Sequence, residues 1–258
     1  MILRRLGNKK KIAKEIQKHF PPHKIYIEPF FGAGGMFFNK PKAKYNIVND
    51  LDSDVFNLFQ VVMNQKEELE EAFYIMPIHS DLLDYWKENK EDEPIRKALR
   101  FLFLSNLTFL GKQDTIQMGL GNTKTSFYTT LKTTYDLIND VKFSNKDFRK
   151  FISSLAIGFK NDLHPDETFV YSDSPYLSTV DTYSDSDTWN EQDSLDLFSC
   201  LEETKCKWAM SEFDHPFIID QAQKRGLNII YIGERQNLKN RRTEILVTNY
   251  ENRQHTLF

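Results

Sequence analysis

Residues 25–36, IYIEPFFGAGGM, pass from an apolar run into a glycine-rich turn and then into the start of an apolar helix. The apolar run predicts a buried strand. Because glycine has no side chain, the backbone after this strand can turn tightly and approach a ligand closely. The glycines of this turn are Gly32, Gly34 and Gly35.

A second apolar run, at residues 45–48, is followed by Asn49 and Asp50. If the two strands are parallel neighbours, the Asp50 carboxylate lies beside the glycine turn and can accept hydrogen bonds from both ribose hydroxyls of a nucleoside. The glycine spacing does not fit the phosphate-binding GxGxxG pattern, and the chain has no GxxxxGK[ST] loop. A nucleoside without phosphates, such as S-adenosylmethionine, therefore suits this turn better than NAD or ATP.

Two charged residues could complete such a site. Glu28, at the end of the first strand, could meet the ammonium group of S-adenosylmethionine, and Lys9 could meet its carboxylate. A plainer interpretation of each residue stays open. Glu28 could cap the turn at the strand end, and Lys9 could belong to a solvated run of lysines.

The remaining apolar runs predict an α/β fold. Strands are expected at residues 24–28, 45–50, 169–173, 207–211, 227–232 and 244–248. Residues 52–73 and 191–203 have the apolar spacing of helices. Alternating strands and helices are typical of a mostly parallel sheet with helices packed on it.

The middle of the chain interrupts this alternation. Residues 94–110 have helical spacing. The sequence after them is polar and contains several glycines, without a strong buried strand. We therefore predict a catalytic domain in two parts, residues 1–60 and 146–258, with residues 61–145 inserted between them. Such an insertion commonly builds a wall over the carboxyl edge of the sheet, where ligands bind.

A second chemical motif, Asp173-Ser-Pro-Tyr176, follows the strand predicted at 169–173. Asp173 and the carbonyl oxygen of Ser174 can accept hydrogen bonds from an exocyclic amine, and Tyr176 can stack on a base held out of the duplex. Pro175 stiffens the turn. Taken alone, the motif could be an Asx turn with a core tyrosine, but the glycine turn and Asp50 occur in the same chain and favour the chemical interpretation.

Composition limits the class of protein. The 258 residues carry a formal net charge of −3, with a cluster of basic residues at 1–24 and another at 235–242. Either cluster could contact phosphates, and either could be solvated surface. Cys200 and Cys206 indicate neither a zinc site nor a disulfide framework. The absence of a long apolar run or a signal peptide leads us to expect a soluble cytoplasmic protein.

Together these segments resemble the Dam-type (D12 class) DNA adenine-N6 methyltransferases, and nearly the whole chain takes part in the resemblance. The order of motifs agrees: Gly7-Asn8-Lys9, the glycine turn, Asn49-Asp50, FLFLSN at 101–106, DSPY, and RTEIL at 242–246. The resemblance implies a Rossmann-like class I methyltransferase sheet of seven strands, the last inserted antiparallel, and a small helical and hairpin DNA-recognition domain. It also implies bacterial or phage origin and transfer from S-adenosylmethionine to adenine N6 in double-stranded DNA by base flipping.

The resemblance assigns roles to individual residues. Asp173, Ser174, Pro175 and Tyr176 would form the catalytic motif. Residues expected to hold or line the methyl donor are Gly7, Asn8, Lys9, Glu28, Phe31, Gly32, Gly34, Gly35, Asp50, Asp173 and Tyr183. Tyr183 could equally anchor its loop. Residues expected to contact DNA are Lys10, Lys11, Lys112, Asn122, Lys124, Arg241 and Arg242.

Two departures from the family pattern limit these assignments. Ser174 stands where the family usually has proline, which keeps the backbone carbonyl but gives up the rigid ring. Residues 112–130 do not match the GATC-reading hairpin, so the recognition sequence stays open, as does a cognate restriction endonuclease. The alternatives are a methyltransferase for RNA adenine or protein glutamine, whose families use an Asn-Pro-Pro-Tyr motif, and a DNA-binding homologue with weakened catalysis.

Overall fold

A computed structural model describes residues 2–3, 9–111, 113–117, 123–158, 163–177, 189–236 and 241–251. The strands are β1 (Ile25–Glu28), β2 (Tyr45–Asn49), β3 (Lys142–Ser144), β4 (Thr168–Ser172), β5 (Lys207–Phe213), β6 (Asn228–Gln236) and β7 (Arg241–Thr248). They form one seven-stranded sheet in the order β3-β2-β1-β4-β5-β7-β6. The strand β1 pairs in parallel with β2 and β4, and β4 pairs in parallel with β5.

Strand β7 lies between β5 and β6 and runs antiparallel to both. The expected α/β class and the antiparallel insertion of the last strand are therefore confirmed. All six predicted strands are present, with ends that differ by a few residues. The strand β3 was not predicted, because its three residues are too few to show an apolar pattern.

The α-helices in the described ranges are α1 (Ala13–Gln17), α2 (Ser53–Asn64), α3 (Lys66–Ile75), α4 (Ser80–Glu88), α5 (Pro94–Leu102), α6 (Thr123–Ile138), α7 (Phe148–Ser153), α8 (Glu191–Glu203) and α9 (Pro216–Lys224). The helix predicted at 191–203 is confirmed as α8, which begins at a capping box between Asn190 and Asp193. The helix predicted at 52–73 is instead two helices. They separate at Gln65, whose φ of −140° is not helical.

The chain divides into two compact units. The first contains residues 1–11, 31–42 and 50–145, and the second contains residues 12–30, 43–49 and 146–258. The insertion predicted at 61–145 lies within the first unit, which also includes the glycine turn and Asp50. No helix in the described ranges is long and apolar enough to cross a membrane.

Each unit has its own apolar core. In the first, α2 and α3 pack against α5 and α6, and Phe73 stacks on Phe127 with ring centroids 3.7 Å apart. In the second, α7, α8 and α9 contribute to a core that includes buried side chains of β1, β4, β5 and β7, with Trp208 fully buried in it. Burial of these apolar side chains supplies most of the driving force for folding.

Candidate active-site residues

The Asp50 carboxylate lies beside the glycine turn, as predicted, and it also accepts hydrogen bonds from the backbone there. The backbone N–H of Gly32 donates to Asp50 Oδ2 at 2.5 Å, and the N–H of Asp52 donates to Asp50 Oδ1 at 2.9 Å. Strands β1 and β2 are parallel neighbours, which is the condition on which this proximity was predicted. A carboxylate offers about four acceptor positions, which is the kind of group that a ligand with several hydroxyls requires.

Two glycines of the turn adopt positive φ angles, +53° at Gly32 and +70° at Gly34. No atom of the described residues lies within 4 Å of the position that a Cβ would take at Gly32. At Gly34 the added Cβ would lie 2.4 Å from Phe38 Cε2 and 2.9 Å from Phe31 Cζ. The turn is therefore open beside Gly32 and closely packed beside Gly34.

Phe31 anchors the turn in the first unit. Its side chain is buried, and its ring makes edge contacts with Phe59 at 5.0 Å and Phe143 at 5.1 Å. Since Phe31 precedes Gly32 directly, this packing fixes where the glycine backbone lies. In the part of the chain that the structure describes, Phe31 is therefore a packing residue of the turn.

Gly34 and Gly32 give a matched pair of substitutions. Gly34→Ala is expected to destabilise the fold by about 2 to 4 kcal/mol, because it adds a steric clash to the strain of positive φ. Gly32→Ala carries only the φ strain and is expected to cost about 1 kcal/mol. Urea unfolding of both variants measures the difference. Equal losses of unfolding free energy would contradict the close packing at Gly34.

Glu28 ends β1 in the second unit and is buried, with 2% of its surface exposed. The Tyr26 hydroxyl donates to Glu28 Oε2 at 2.8 Å. Burial, and then the negative charge of Glu28, raise the pKa of Tyr26 well above its usual range, so its hydroxyl keeps the proton that it donates. A buried tyrosine therefore fixes the orientation of the Glu28 carboxyl group.

Asn49 holds the backbone that follows Glu28. Its Nδ2 donates to the carbonyl oxygens of Pro29 at 3.0 Å and Lys146 at 2.9 Å, and its Oδ1 accepts from the N–H of Lys146 at 3.0 Å. The side chain is buried, so these bonds are shielded from water. Asn49 thus ties together two chain segments of the second unit that follow β1 and precede α7.

The DSPY motif follows β4 directly, because the strand ends at Ser172. Asp173 and Pro175 are partly exposed, whereas Ser174 and Tyr176 are buried. Burial raises the pKa of Tyr176 well above its usual range, and the negative charges of Asp173 and Glu244 add to this effect. The Tyr176 hydroxyl is therefore protonated and acts as a donor.

Residues of β5 and β7 surround the end of the motif. The Tyr176 hydroxyl donates to Glu244 Oε1 at 2.5 Å, and its ring lies edge-on to Phe213 with centroids 4.6 Å apart. The backbone N–H of Leu177 donates to Glu212 Oε2 at 3.2 Å. Two buried glutamates thus contact the residues that close the motif.

Four acidic side chains of the second unit lie at one edge of the sheet. Glu28 and Asp173 lie at the carboxyl ends of the parallel strands β1 and β4, and Glu212 lies near the end of β5. Glu244, near the start of the antiparallel β7, pairs with Phe213 at the same edge. Carboxylates gathered in a desolvated place favour a positively charged group.

The basic residues proposed for DNA binding have different surroundings. Lys10 and Lys11 are exposed, whereas the neighbouring Lys9, which is predicted to meet the methyl donor, is buried. The Arg242 guanidinium lies 5.5 Å from the ring centroid of Phe213. Lys124 donates to the carbonyl oxygens of Tyr74 and Met76 at 2.6 and 2.8 Å. Its ammonium group therefore pairs with carbonyl groups at the C-terminal end of α3.

Several predicted site residues lie outside the described part of the chain. They are Gly7, Asn8, Lys112, Asn122 and Tyr183, and the side chain of Arg241 is likewise not described. Their roles remain predictions. Conversely, the sequence pattern did not single out Tyr26, Glu212 or Glu244, which contact Glu28, Leu177 and Tyr176 respectively. Glu212 and Glu244 could have been noticed from the sequence, because each is an acidic residue within an apolar strand.

Comparison with known proteins identifies the family. The sequence model of D12 class N6 adenine-specific DNA methyltransferases matches residues 6–245. The DNA adenine methylase of Escherichia coli K12 is 30% identical over 111 residues, which are 41% of this chain and 40% of that protein. The DNA adenine methylase of Vibrio cholerae is 23% identical over 191 residues, 69% of this chain and 66% of that one.

A third relative, the DNA adenine methylase of Serratia marcescens, is 33% identical over 111 residues, which cover 41% of each chain. The aligned segments thus span about two fifths of the Escherichia and Serratia proteins. The family match, by contrast, extends over most of this chain and includes the glycine turn, Asp50, DSPY and the start of β7. The chain belongs to the D12 class of N6 adenine-specific DNA methyltransferases.

Proposed function

We propose that this protein transfers a methyl group from S-adenosylmethionine to N6 of adenine at a specific site in duplex DNA, with the target base flipped out of the helix. The observation that carries the proposal is the placement of Asp173-Ser-Pro-Tyr176 directly after β4, with Tyr176 fixed by Phe213 and Glu244. The motif places an acceptor for an amine and a ring for a base next to each other in the chain.

The glycine turn suits the nucleoside part of the methyl donor. Among the described residues, the space beside Gly32 leaves room for a ligand close to the backbone, and the Asp50 carboxylate beside the turn is an acceptor that suits ribose hydroxyls. Glu28 would meet the donor's ammonium group and Lys9 its carboxylate. When bound, S-adenosylmethionine supplies an electrophilic methyl group on a positively charged sulfur.

The motif would prepare the amine as a nucleophile. The lone pair of an aromatic amine is delocalised into the ring, which makes the nitrogen a poor nucleophile. Hydrogen bonds from its two protons to Asp173 and to the Ser174 carbonyl favour a pyramidal nitrogen with an available lone pair. The nitrogen would become positively charged as its bond to the methyl carbon forms and the carbon–sulfur bond breaks, with the electron pair of that bond left on sulfur. The nearby carboxylates would stabilise this charge until the nitrogen releases one proton to solvent.

Binding to DNA is expected to depend strongly on salt through the two basic clusters, because neutralising phosphates releases counterions. Replacing Lys10, Lys11, Arg241 and Arg242 with Ala together should reduce the slope of log K against log salt by roughly 3. Fluorescence anisotropy with a labelled duplex at several salt concentrations measures the slope. The matched control replaces four exposed lysines elsewhere: Lys150, Lys205, Lys207 and Lys224. Equal slopes for the two sets would assign the clusters to solvated surface.

The class of substrate is tested by offering tritiated S-adenosylmethionine with unmethylated phage DNA, with bulk RNA or with a protein extract. We expect tritium in DNA alone. Label in RNA or protein, and not in DNA, would contradict the proposal. The labelled DNA also gives the recognition sequence, once the modified sites are mapped by methylation-sensitive sequencing.

A further inference from the structure

We propose that Glu244 is a positioning residue that sets the orientation of the Tyr176 ring for stacking on the target base. The inference rests on the proposed function, since it concerns how the motif receives an adenine. Glu244 lies 68 residues beyond Tyr176 in the sequence, on the inserted antiparallel strand β7.

The antiparallel pairing of β5 and β7 builds the place where Tyr176 lies. Phe213 and Glu244 are direct partners in the register of these strands. Tyr176 contacts both members of the pair. Its ring is edge-on to Phe213, with an interplanar angle of 85°, and its hydroxyl donates to Glu244 Oε1. Two contacts at different points of one planar side chain define the orientation of its ring.

The backbone beside the tyrosine is held as well. Glu212 accepts the N–H of Leu177 through Oε2 and the N–H of Phe213 through Oε1. The residue that follows Tyr176 is therefore tied to β5. With the backbone fixed there and the hydroxyl fixed at β7, the side-chain torsions of Tyr176 have little freedom.

Burial makes the hydroxyl contact strong. Glu244 has 0% of its surface exposed and Tyr176 has 8%, so water competes little for the hydrogen bond. A buried carboxyl group needs donors, and the Tyr176 hydroxyl is one of them. The contact therefore serves the fold and the ring orientation together, and the experiment has to separate these two effects.

Orientation of the ring matters more for catalysis than for affinity. A base stacked at the wrong angle still contributes binding energy, but its amine is displaced from the Asp173 acceptor, and small displacements lower the rate of transfer strongly. Loss of the Glu244 contact is therefore expected to lower kcat and the fraction of flipped base. The KM for DNA and the affinity for S-adenosylmethionine should stay nearly constant.

The test compares Tyr176→Phe, Glu244→Ala, the double variant and Glu244→Gln. The first removes only the hydroxyl, the second removes the acceptor, and the last keeps an amide oxygen that can accept. Tyr171→Phe is the matched control, because Tyr171 is a buried tyrosine whose hydroxyl bonds to Ser211 Oγ at 2.8 Å. Each variant is assayed for kcat, for KM, and for fluorescence of 2-aminopurine placed at the mapped target position in a duplex.

Tyr176→Phe and Glu244→Ala should each lower kcat and the 2-aminopurine signal by about tenfold, the effect of losing one charge-assisted hydrogen bond. The double variant should be no worse than either single variant, and Glu244→Gln should recover most of the rate. Tyr171→Phe should methylate and flip as the wild type does.

Independent effects that multiply in the double variant would overturn the inference, as would a Tyr176→Phe protein with wild-type kcat and fluorescence. If Glu244→Ala fails to fold, Tyr176→Phe against Tyr171→Phe decides the question alone. Wild-type protein that methylates no DNA would instead refute the proposed function, whereas variants that match an active wild type refute only the role of Glu244.

Discussion

Asp173→Ala is expected to lower the rate of methyl transfer by about 100-fold to 1000-fold while leaving cofactor and DNA binding largely intact. The carboxylate would contact the amine and stabilise the charge that develops on its nitrogen. That interaction is stronger in the transition state than in the ground state, so its loss falls mainly on kcat. Single-turnover kinetics with preformed complex measures the rate.

The matched control for this variant is Asp166→Ala, since Asp166 is an exposed aspartate before the start of β4, at the other end of the strand. It should retain the wild-type rate. Calorimetry and anisotropy then establish that Asp173→Ala still binds S-adenosylmethionine and DNA. Near-normal turnover of Asp173→Ala would remove the amine contact from the mechanism, and the catalytic assignment of the motif with it.

Asp50→Ala is expected to weaken binding of S-adenosylmethionine by about 1 to 3 kcal/mol. Two effects contribute. The ribose hydroxyls lose a charged acceptor, and the N–H of Gly32 loses the partner that shapes the turn. Asp50→Asn keeps a neutral oxygen that can accept from Gly32, so it should lose less affinity than Asp50→Ala does.

Isothermal calorimetry measures both affinities, with Asp140→Ala as a control because Asp140 is an exposed acid of the same unit, paired with Lys42. An Asp50→Ala protein that binds with wild-type affinity would exclude Asp50 from the cofactor site. Equal losses for Asp50→Ala and Asp50→Asn would assign the whole effect to charge and none to the shape of the turn.

The part of the site that the sequence predicted is the part formed by short-range patterns. An apolar strand followed by three glycines, and a second strand followed by Asp50, suffice to bring the carboxylate to the turn if the strands are parallel. The pairing of Ile27 with Ile47 and the bond from Gly32 to Asp50 confirm that reasoning.

The part that the sequence did not predict depends on long-range pairing. The contact between Tyr176 and Glu244 exists because β7 is inserted antiparallel beside β5, which places Glu244 opposite Phe213. Local periodicity cannot specify which strands become neighbours. Strand β3 was not predicted for a different reason, since its three residues are too few to show a pattern of their own. The break at Gln65 has no glycine or proline to mark it.

Analysis of nucleosides shows directly whether the methyl group is transferred to N6 of adenine. Unmethylated phage DNA is incubated with the protein and S-adenosylmethionine, digested to nucleosides and analysed by mass spectrometry beside a parallel sample treated with Asp173→Ala. We predict N6-methyldeoxyadenosine in the wild-type sample and almost none in the Asp173→Ala sample. Methylated cytosine in place of methylated adenine would contradict the proposed function, as would DNA left unmethylated by wild-type protein that binds S-adenosylmethionine in calorimetry.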